Sequence, residues 1–218
     1  MLEIIFVSDY VCPYCLVGKE VLRQALEEMD IEADIIFQPV ELTVEPSPRV
    51  DTFHDRDRRE RYKRILTKEC LQALGLEDMK IPPKVIPRPY TRLAYEGWIF
   101  AQSYGKDEEY NDLVYKAYFM EEKDIGDIEV LTSIAGKAGL QENLFHQALE
   151  EGTYTEREKE IIQRGTDNLK IDALPTFVIN GEERILNEFS KEEMIKLLQN
   201  ETKREQKRIV GCSLKGCG

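Results

Sequence analysis

The chain has 218 residues, which is long for one domain and short for two, so we expect one core that carries an insertion. Hydrophobic residues make up 42% of the chain, enough for a sizeable core, and the formal net charge at pH 7 is -12. A surface of that sign repels nucleic-acid phosphates and anionic lipids, so neither nucleic acid nor a membrane is an expected partner.

No targeting or membrane-spanning segment is predicted. The opening residues form a short apolar run without a basic leader, and no stretch approaches the roughly 18 apolar residues that a spanning helix needs. We therefore expect a cytoplasmic protein. An odd number of cysteines with two close pairs is not a disulfide framework, and in a reducing compartment such pairs are more often catalytic or metal-binding. The five cysteines are Cys12, Cys15, Cys70, Cys212 and Cys217.

The first forty residues predict a strand, a helix and a second strand. Residues 3–8 are apolar and β-branched, helical periodicity runs from Pro13 to about Met29, and residues 34–38 form the second strand. This spacing is typical of a right-handed crossover between parallel strands.

A block of helical periodicities without a convincing strand follows, from about residue 55 to 170. Asp127 and Thr155 stand where N-cap residues belong. The predicted helices cover about 56–74, 91–104, 107–121, 127–138, 142–150 and 155–168.

Strand signals return at residues 175–179. Asn180-Gly181 is a strong signal for a tight hairpin, whose second arm is 184–186. A final helix is predicted from Ser190 to about Lys207, where Ser190 and Glu193 have the spacing of a capping box.

The order of elements is βαβ, a helical block, and ββα. Without the block this is the thioredoxin arrangement, so we predict an α/β, thioredoxin-like fold with an inserted all-helical domain. Residues 1–50 and 170–208 would form the discontinuous thioredoxin-like domain and 51–169 the insert. Residues 209–218 would form a flexible C-terminal tail with a Cys-x4-Cys pair.

The motif Cys12-Pro13-Tyr14-Cys15 lies between the first strand and its helix. Cys12 is the predicted N-cap, and its position at the positive end of the helix favours thiolate over thiol. Cys12 should attack substrate disulfides, and Cys15 should resolve the mixed disulfide. The alternatives are two small buried residues, or half of a zinc site completed by Cys212 and Cys217. The order of strand, motif and helix favours the redox pair.

The sequence resembles the DsbA family, and within it the FrnE-like cytoplasmic branch, over roughly residues 3–200. The motifs that carry the resemblance are Asp9-x-x-Cys12-Pro13-x-Cys15, the run from Tyr118-Phe119 to Asp124-Ile125 and Asp127, and Leu174-Pro175-Thr176-Phe177-Val178-Ile179-Asn180-Gly181. The resemblance implies a thioredoxin fold with a helical insertion that acts on disulfides or dithiols without a bound cofactor or metal.

The resemblance also implies substrate-binding residues. Pro175 would follow a cis peptide bond and face the redox pair, leaving the backbone of Leu174 to pair with a bound peptide, and Tyr14 would lie beside them. The sequence departs from the family pattern at two places. The dipeptide between the cysteines is Pro-Tyr, where the branch often has Pro-Trp, and residues 187–189 read Asn-Glu-Phe where the family often has Gly-Ala-Gln.

Two further cysteines follow the last predicted helix. We hypothesise that Cys212 and Cys217 form a second redox pair that exchanges with Cys12 and Cys15; incidental thiols in a tail are the alternative. Cys70 falls on an apolar helical face and is expected to be inert.

The function predicted from the sequence is a cytoplasmic protein thiol–disulfide oxidoreductase or isomerase. Its partners would be protein or small-molecule thiols and disulfides, with a thioredoxin- or glutathione-type reductant. One alternative is a glutathione-dependent enzyme of the 2-hydroxychromene-2-carboxylate isomerase or kappa-class transferase type, which typically has serine where Cys12 stands. Another is a redox-regulated holdase or zinc-binding protein.

Overall fold

A computed structural model describes residues 2–169, 171–185 and 189–215 of the chain. Its sheet has four strands in the order β2-β1-β3-β4. β1 pairs in parallel with β2 and antiparallel with β3, which pairs antiparallel with β4. The strands are β1 Leu2–Ser8, β2 Ala33–Pro39, β3 Thr176–Ile179 and β4 Glu182–Ile185.

The crossover helix α1, Pro13–Met29, joins the two parallel strands as predicted. Its apolar face is buried, and Val17, Val21 and Ala25 are each 0% exposed. The ring of Phe6 on β1 stacks on that of Phe177 on β3, with centroids 5.2 Å apart. The sheet and α1 therefore share one core. The cysteine motif follows within four residues of the end of β1.

The Asn180-Gly181 hairpin is confirmed, although its second arm begins at Glu182 rather than at residue 184. Ile179 pairs with Glu182 across a two-residue turn, and Asn180 and Gly181 have φ values of 49° and 82°. Positive φ at both central residues is the geometry that favours asparagine and glycine. Asn180 also binds back to β1, because its side-chain oxygen accepts from the N–H of Glu3 at 3.1 Å.

The segment between β2 and β3 is helical, which agrees with the predicted insertion. None of the helices in the described part of the chain is long and apolar enough to cross a bilayer. The helices of this segment are α2 Arg56–Ile65, α3 Lys68–Ala73, α4 Arg92–Gln102, α5 Asp107–Phe119, α6 Ile128–Lys137, α7 Glu142–Glu150 and α8 Thr155–Asn168.

Two details of the predicted insert are wrong. The single helix predicted over 56–74 is two helices, because the Thr67 hydroxyl caps the N–H of Cys70 at 3.2 Å and starts a new helix there. The N-cap of α8 is Tyr154, not Thr155, whose hydroxyl instead donates to the buried carboxylate of Glu96 at 3.0 Å. The other predicted N-cap, Asp127, is confirmed.

The C-terminal helix α9, Lys191–Lys215, is longer than predicted. Half of the capping box forms, since Ser190 accepts from the N–H of Glu193 at 3.3 Å. The prediction of a flexible arm from residue 209 is wrong for 209–215, which continue the helix. A lone glycine costs a helix only about 1 kcal/mol, so Gly211 does not end it.

A glycine on α1 allows the chain before β3 to approach the helix closely. A Cβ atom on Gly18 would lie 2.7 Å from Cγ of Pro175 and 3.3 Å from Cζ of Phe177. Pro175 is buried against this position. The bare backbone of Gly18 therefore sets how closely the segment with Pro175 approaches the motif helix.

We expect Gly18→Ala to destabilise the protein by about 1–3 kcal/mol, because the new methyl group meets a rigid proline ring. The control is Gly136→Ala on α6, where the new Cβ would meet only the flexible carboxylate end of Glu142. The control should be neutral, or more stable by up to about 1 kcal/mol. Urea unfolding of both variants checks this, and equal effects would contradict the close contact.

Candidate active site

The two motif cysteines differ in their surroundings. Cys12 is the N-cap of α1, as predicted, with Pro13 as the first helical residue. Its thiol lies on the wall of a cleft, although the residue is only 5% exposed. Cys15 lies one turn inside the helix, is 0% exposed, and donates its N–H to the carbonyl of Cys12 at 3.0 Å. Both thiols are free.

Burial makes Cys15 a poor acid. It raises the pKa of the Cys15 thiol well above its usual value, and the hydrogen bond and charge of Cys12 raise it further. The Ser8 hydroxyl and the Asp9 backbone act in the opposite direction. Cys15 is therefore held as a thiol behind Cys12, so only Cys12 meets a ligand in the cleft.

The side chain of Asp9 is hydrogen-bonded to the backbone of the cysteine motif and of the chain after β2. Its carboxylate is 0% exposed and accepts three hydrogen bonds, from the N–H groups of Val11 (3.2 Å) and Leu42 (2.6 Å) and from the hydroxyl of Tyr95 (3.2 Å). Burial raises the pKa of Asp9, and these hydrogen bonds oppose that rise. Through these contacts Asp9 joins the motif, the chain after β2 and α4.

Tyrosines of the insert hold the end of β1. The hydroxyl of Tyr115 is hydrogen-bonded to Ser8, and the hydroxyl of Tyr10 donates to Asn111. The rings of Tyr10 and Tyr95 stack with centroids 4.9 Å apart. All of these groups are buried, so α4 and α5 fix the position of the motif as firmly as the sheet does.

The cleft beside Cys12 has a volume of about 690 Å³, within the range of small-molecule sites. Cys12 and Tyr14 form one side, and Leu174 faces them from the segment before β3. The Leu174–Pro175 peptide bond is cis. The structure thus brings together Cys12, Tyr14 and Leu174, with Pro175 packed behind them on α1.

Tyr14 lies between two aromatic rings. It stacks on Phe189 with an interplanar angle of 1° and meets the edge of Tyr62, each with centroids 5.5 Å apart. Phe189 belongs to the segment that departs from the family pattern, and its carbonyl accepts from the thiol of Cys70 at 3.8 Å. A phenylalanine at this position therefore contributes an aromatic wall beside the motif.

Three glutamates near the cleft were missed by the sequence reasoning. Glu41 lines the cleft, and Glu96 and Glu158 are 0% and 2% exposed. Each has a buried carboxylate oxygen without a partner in the described part of the chain. Burial, followed by the charge of nearby carboxylates, raises the pKa of Glu41 to about 7 and that of Glu158 to about 8. No sequence signal marks them, because their neighbours come from distant segments.

The remaining candidates lie away from this cleft or outside the described side chains. Cys70 is half-buried, burial raises its thiol pKa, and it does not line the cleft. Cys212 lies on α9, but its side chain, like the whole of Cys217, falls outside the described residues. Within the described ranges, no group of three His, Cys, Asp or Glu side chains is arranged to hold a metal ion.

Residues 3–199 match the family model described as the DSBA-like thioredoxin domain. The chain belongs to this family. It is 36% identical over 198 residues, 91% of this chain and 96% of the relative, to the uncharacterized protein YwbO of Bacillus subtilis.

Two solved structures show the same fold at low identity. The probable DsbA oxidoreductase SCO1869 of Streptomyces coelicolor has a TM-score of 0.68 at 19% identity, covering 92% of this chain and 90% of its own. The cytosolic disulfide reductase DsbM of Pseudomonas aeruginosa, solved with GSH, has a TM-score of 0.65 at 15% identity, covering 92% and 99%. The predicted thioredoxin-like fold is confirmed, and the family is one of thiol–disulfide oxidoreductases.

The buried carboxylate of Glu158 makes stability depend on pH. The pKa of Glu158 is about 8 in the folded protein, compared with 4.5 for a glutamate exposed to solvent, as in the unfolded chain. At pH values between these two, the folded protein holds a proton that the unfolded chain has lost. The free energy of unfolding therefore falls as pH rises from about 4.5 to about 8. We expect Glu158→Gln to exceed the wild type in stability at pH 8 by an amount on the order of 2 kcal/mol, and to match it below pH 4.5.

Thermal or urea unfolding at several pH values measures this difference. The control is Glu160→Gln, which removes an exposed carboxylate from the same helix. Its difference from the wild type should be small and nearly constant with pH. A Glu158→Gln curve parallel to that of the wild type would contradict the raised pKa.

Proposed function

We propose that the protein is a cytoplasmic thiol–disulfide oxidoreductase in which Cys12 is the nucleophile and Cys15 the resolving thiol. The observation that carries this proposal is the asymmetry of the pair. Cys12 caps α1 on the wall of the cleft, whereas Cys15 is fully buried and has a raised thiol pKa. Nucleophilic cysteines in proteins sit at helix N-termini with access to substrate, and buried thiols are inert until brought into reaction.

The reaction proceeds in two exchanges. The Cys12 thiolate attacks one sulfur of a substrate disulfide, which forms a mixed disulfide and expels the first substrate thiolate. Cys15 then loses its proton and attacks the sulfur of Cys12, which releases the second thiolate and leaves a Cys12–Cys15 disulfide. Two electrons pass from the protein to the substrate, and a reductant reverses these steps to regenerate the dithiol.

The substrate would lie between Tyr14 and Leu174. Both residues line the cleft with Cys12, and the Leu174 backbone precedes the buried Pro175. Protein or small-molecule thiols and disulfides are the substrates of such a site. A thioredoxin- or glutathione-type reductant would regenerate it, and the GSH bound by the similarly folded DsbM supports testing glutathione first.

Two finer assignments belong to the same proposal. The chain would belong to the FrnE-like branch, an assignment that its motifs support, and two close pairs among five cysteines suit catalysis in a reducing cytoplasm. Cys212 and Cys217 would be a second pair that exchanges with the first.

Insulin reduction driven by dithiothreitol tests the proposal. We expect Cys12→Ser to lower turnover to the uncatalysed background, because the attacking thiolate is gone. Cys15→Ser should trap the mixed disulfide with substrate, visible by mass spectrometry as an adduct on Cys12. The control is Cys70→Ser, whose thiol lies away from the cleft and whose activity should equal that of the wild type.

Other outcomes lead to different functions. Loss of exchange only in the Cys212→Ser/Cys217→Ser double variant would assign catalysis to the second pair. Full insulin reduction by Cys12→Ser would refute the proposed nucleophile. Wild-type protein that suppresses client aggregation without any turnover would be a holdase, and glutathione-dependent isomerisation that survives Cys12→Ser would indicate the transferase-like class.

A further inference from the structure

The cleft beside Cys12 has a different charge from the rest of the molecule. The chain carries a formal net charge of -12, yet three arginines line this one cleft. Two acids share it, Glu41 and Asp172, and burial raises the pKa of Glu41 to about 7, so Glu41 carries only part of its negative charge near neutral pH. The cleft is therefore cationic on an acidic protein. The three arginines are Arg58, Arg61 and Arg88.

Arg88 forms the floor of this cationic cleft. The residue is 5% exposed, and its backbone N–H donates to the carbonyl of Val50 at 2.9 Å. One terminal nitrogen of the guanidinium donates to the Thr43 hydroxyl at 2.6 Å and lies 3.5 Å from the carbonyl of Leu42. Its Nε is buried and has no partner among the residues that the structure describes.

Arg88 is a buried positive charge without a negatively charged partner in the described part of the chain. Guanidinium groups stay charged in proteins, and buried charges are normally paired with an opposite charge. Arg88 forms no ion pair within the described ranges. Asp9 interacts with it electrostatically, but the oxygens of Asp9 accept hydrogen bonds from Val11, Leu42 and Tyr95. A ligand anion in the cleft would supply the missing partner.

Arg58 and Arg61 lie closer to the opening. They are three residues apart on α2 and so share one helical face. Arg58 is half-buried and is oriented by Asp55, whose carboxylate accepts from its Nε at 3.2 Å, whereas Arg61 is exposed. The cleft is thus lined by arginines that range from exposed to buried, and Cys12 lines the same cleft.

We propose that this cleft selects small disulfides and thiols that carry a carboxylate a few bonds from the sulfur, with Arg88 as the residue that binds the carboxylate. Arginine pairs with carboxylates through parallel hydrogen bonds. The volume of about 690 Å³ suits a small molecule, and a floor residue that is 5% exposed is within reach only of a slender group. The proposal rests on the proposed function, since Cys12 performs the exchange.

The reaction with such a substrate follows the two exchanges described above. Cys12 forms a bond to one sulfur of the small disulfide as the sulfur–sulfur bond breaks, and the first carboxylate-bearing thiolate leaves. Cys15 then attacks the sulfur of Cys12 and displaces the second carboxylate-bearing thiolate. The protein dithiol becomes a disulfide, and the small disulfide is reduced to two thiols.

Three disulfides of equal length test the selectivity. Dithiodipropionate, bis(hydroxyethyl) disulfide and cystamine place a carboxylate, a hydroxyl and an ammonium group at the same distance from sulfur. The rate at which each oxidises the reduced wild-type protein at neutral pH and low salt is divided by its rate with free mercaptoethanol, which removes intrinsic reactivity. We expect the anionic disulfide to react about tenfold faster than the neutral one, and the cationic one slowest.

Single variants test whether the arginines of the cleft cause the preference for the anionic disulfide. Arg88→Gln should lose most of the preference for the anionic disulfide, and Arg61→Gln a smaller part of it. The control, Arg157→Gln, removes the same charge from an exposed site on α8 and should keep the preference. High salt should reduce the wild-type preference, most of all the part that arises at the exposed Arg61.

The outcomes separate the two proposals. Equal normalised rates for all three disulfides with the wild type would overturn the subsite while leaving the oxidoreductase intact, and no variant is needed for that result. An unchanged preference in Arg88→Gln would also overturn it. A reduced wild-type protein that none of the three disulfides oxidises would instead refute the proposed function.

Discussion

The buried carboxylate of Asp9 is the interaction on which the site depends. It lies where β1 ends and accepts hydrogen bonds from the motif at Val11, from the chain after β2 at Leu42, and from the insert at Tyr95. The backbone carbonyl of Asp9 also accepts from the N–H of Cys12 at 3.0 Å. A single acid thus joins the three segments that surround the cleft, and satisfying its oxygens fixes where the helix begins.

Burial makes the two cysteines of the motif differ in their access to a ligand and in the acidity of their thiols. Cys12 and Cys15 are one helical turn apart, but the first lines the cleft and the second is enclosed by Ser8 and the tyrosines of the insert. Desolvation disfavours a charged Cys15, so the inner thiol stays protonated behind Cys12. The insert therefore acts on the chemistry through the environment of the inner cysteine.

The insert also gives this member of the family its cleft. α2 contributes arginines to the mouth, the segment before α4 contributes Arg88, and the chain after β2 contributes Glu41. The buried carboxylate of Glu158 interacts electrostatically with those of Glu41 and Glu96, and burial raises the pKa of Glu158 to about 8. The DsbA-like scaffold thereby acquires a cleft that is lined by arginines as well as by Cys12.

Local patterns in the sequence determined the strands, α1, the Asn180-Gly181 turn and the N-cap position of Cys12, because each depends on neighbours within a few residues. The break after Leu66 is also local, since Thr67 caps the next helix, but helical periodicity alone did not reveal it. The hydroxyl partner of Thr155 was decided by a tertiary contact, and the continuation of α9 past Gly211 by a small difference in helix stability. The same holds for Asp9, Arg88 and the glutamates: periodicity cannot show burial or a missing partner, since both depend on residues far away in the chain. The sequence alone pointed to Cys12 and Cys15 as the candidate pair, and only the tertiary structure decided what surrounds them.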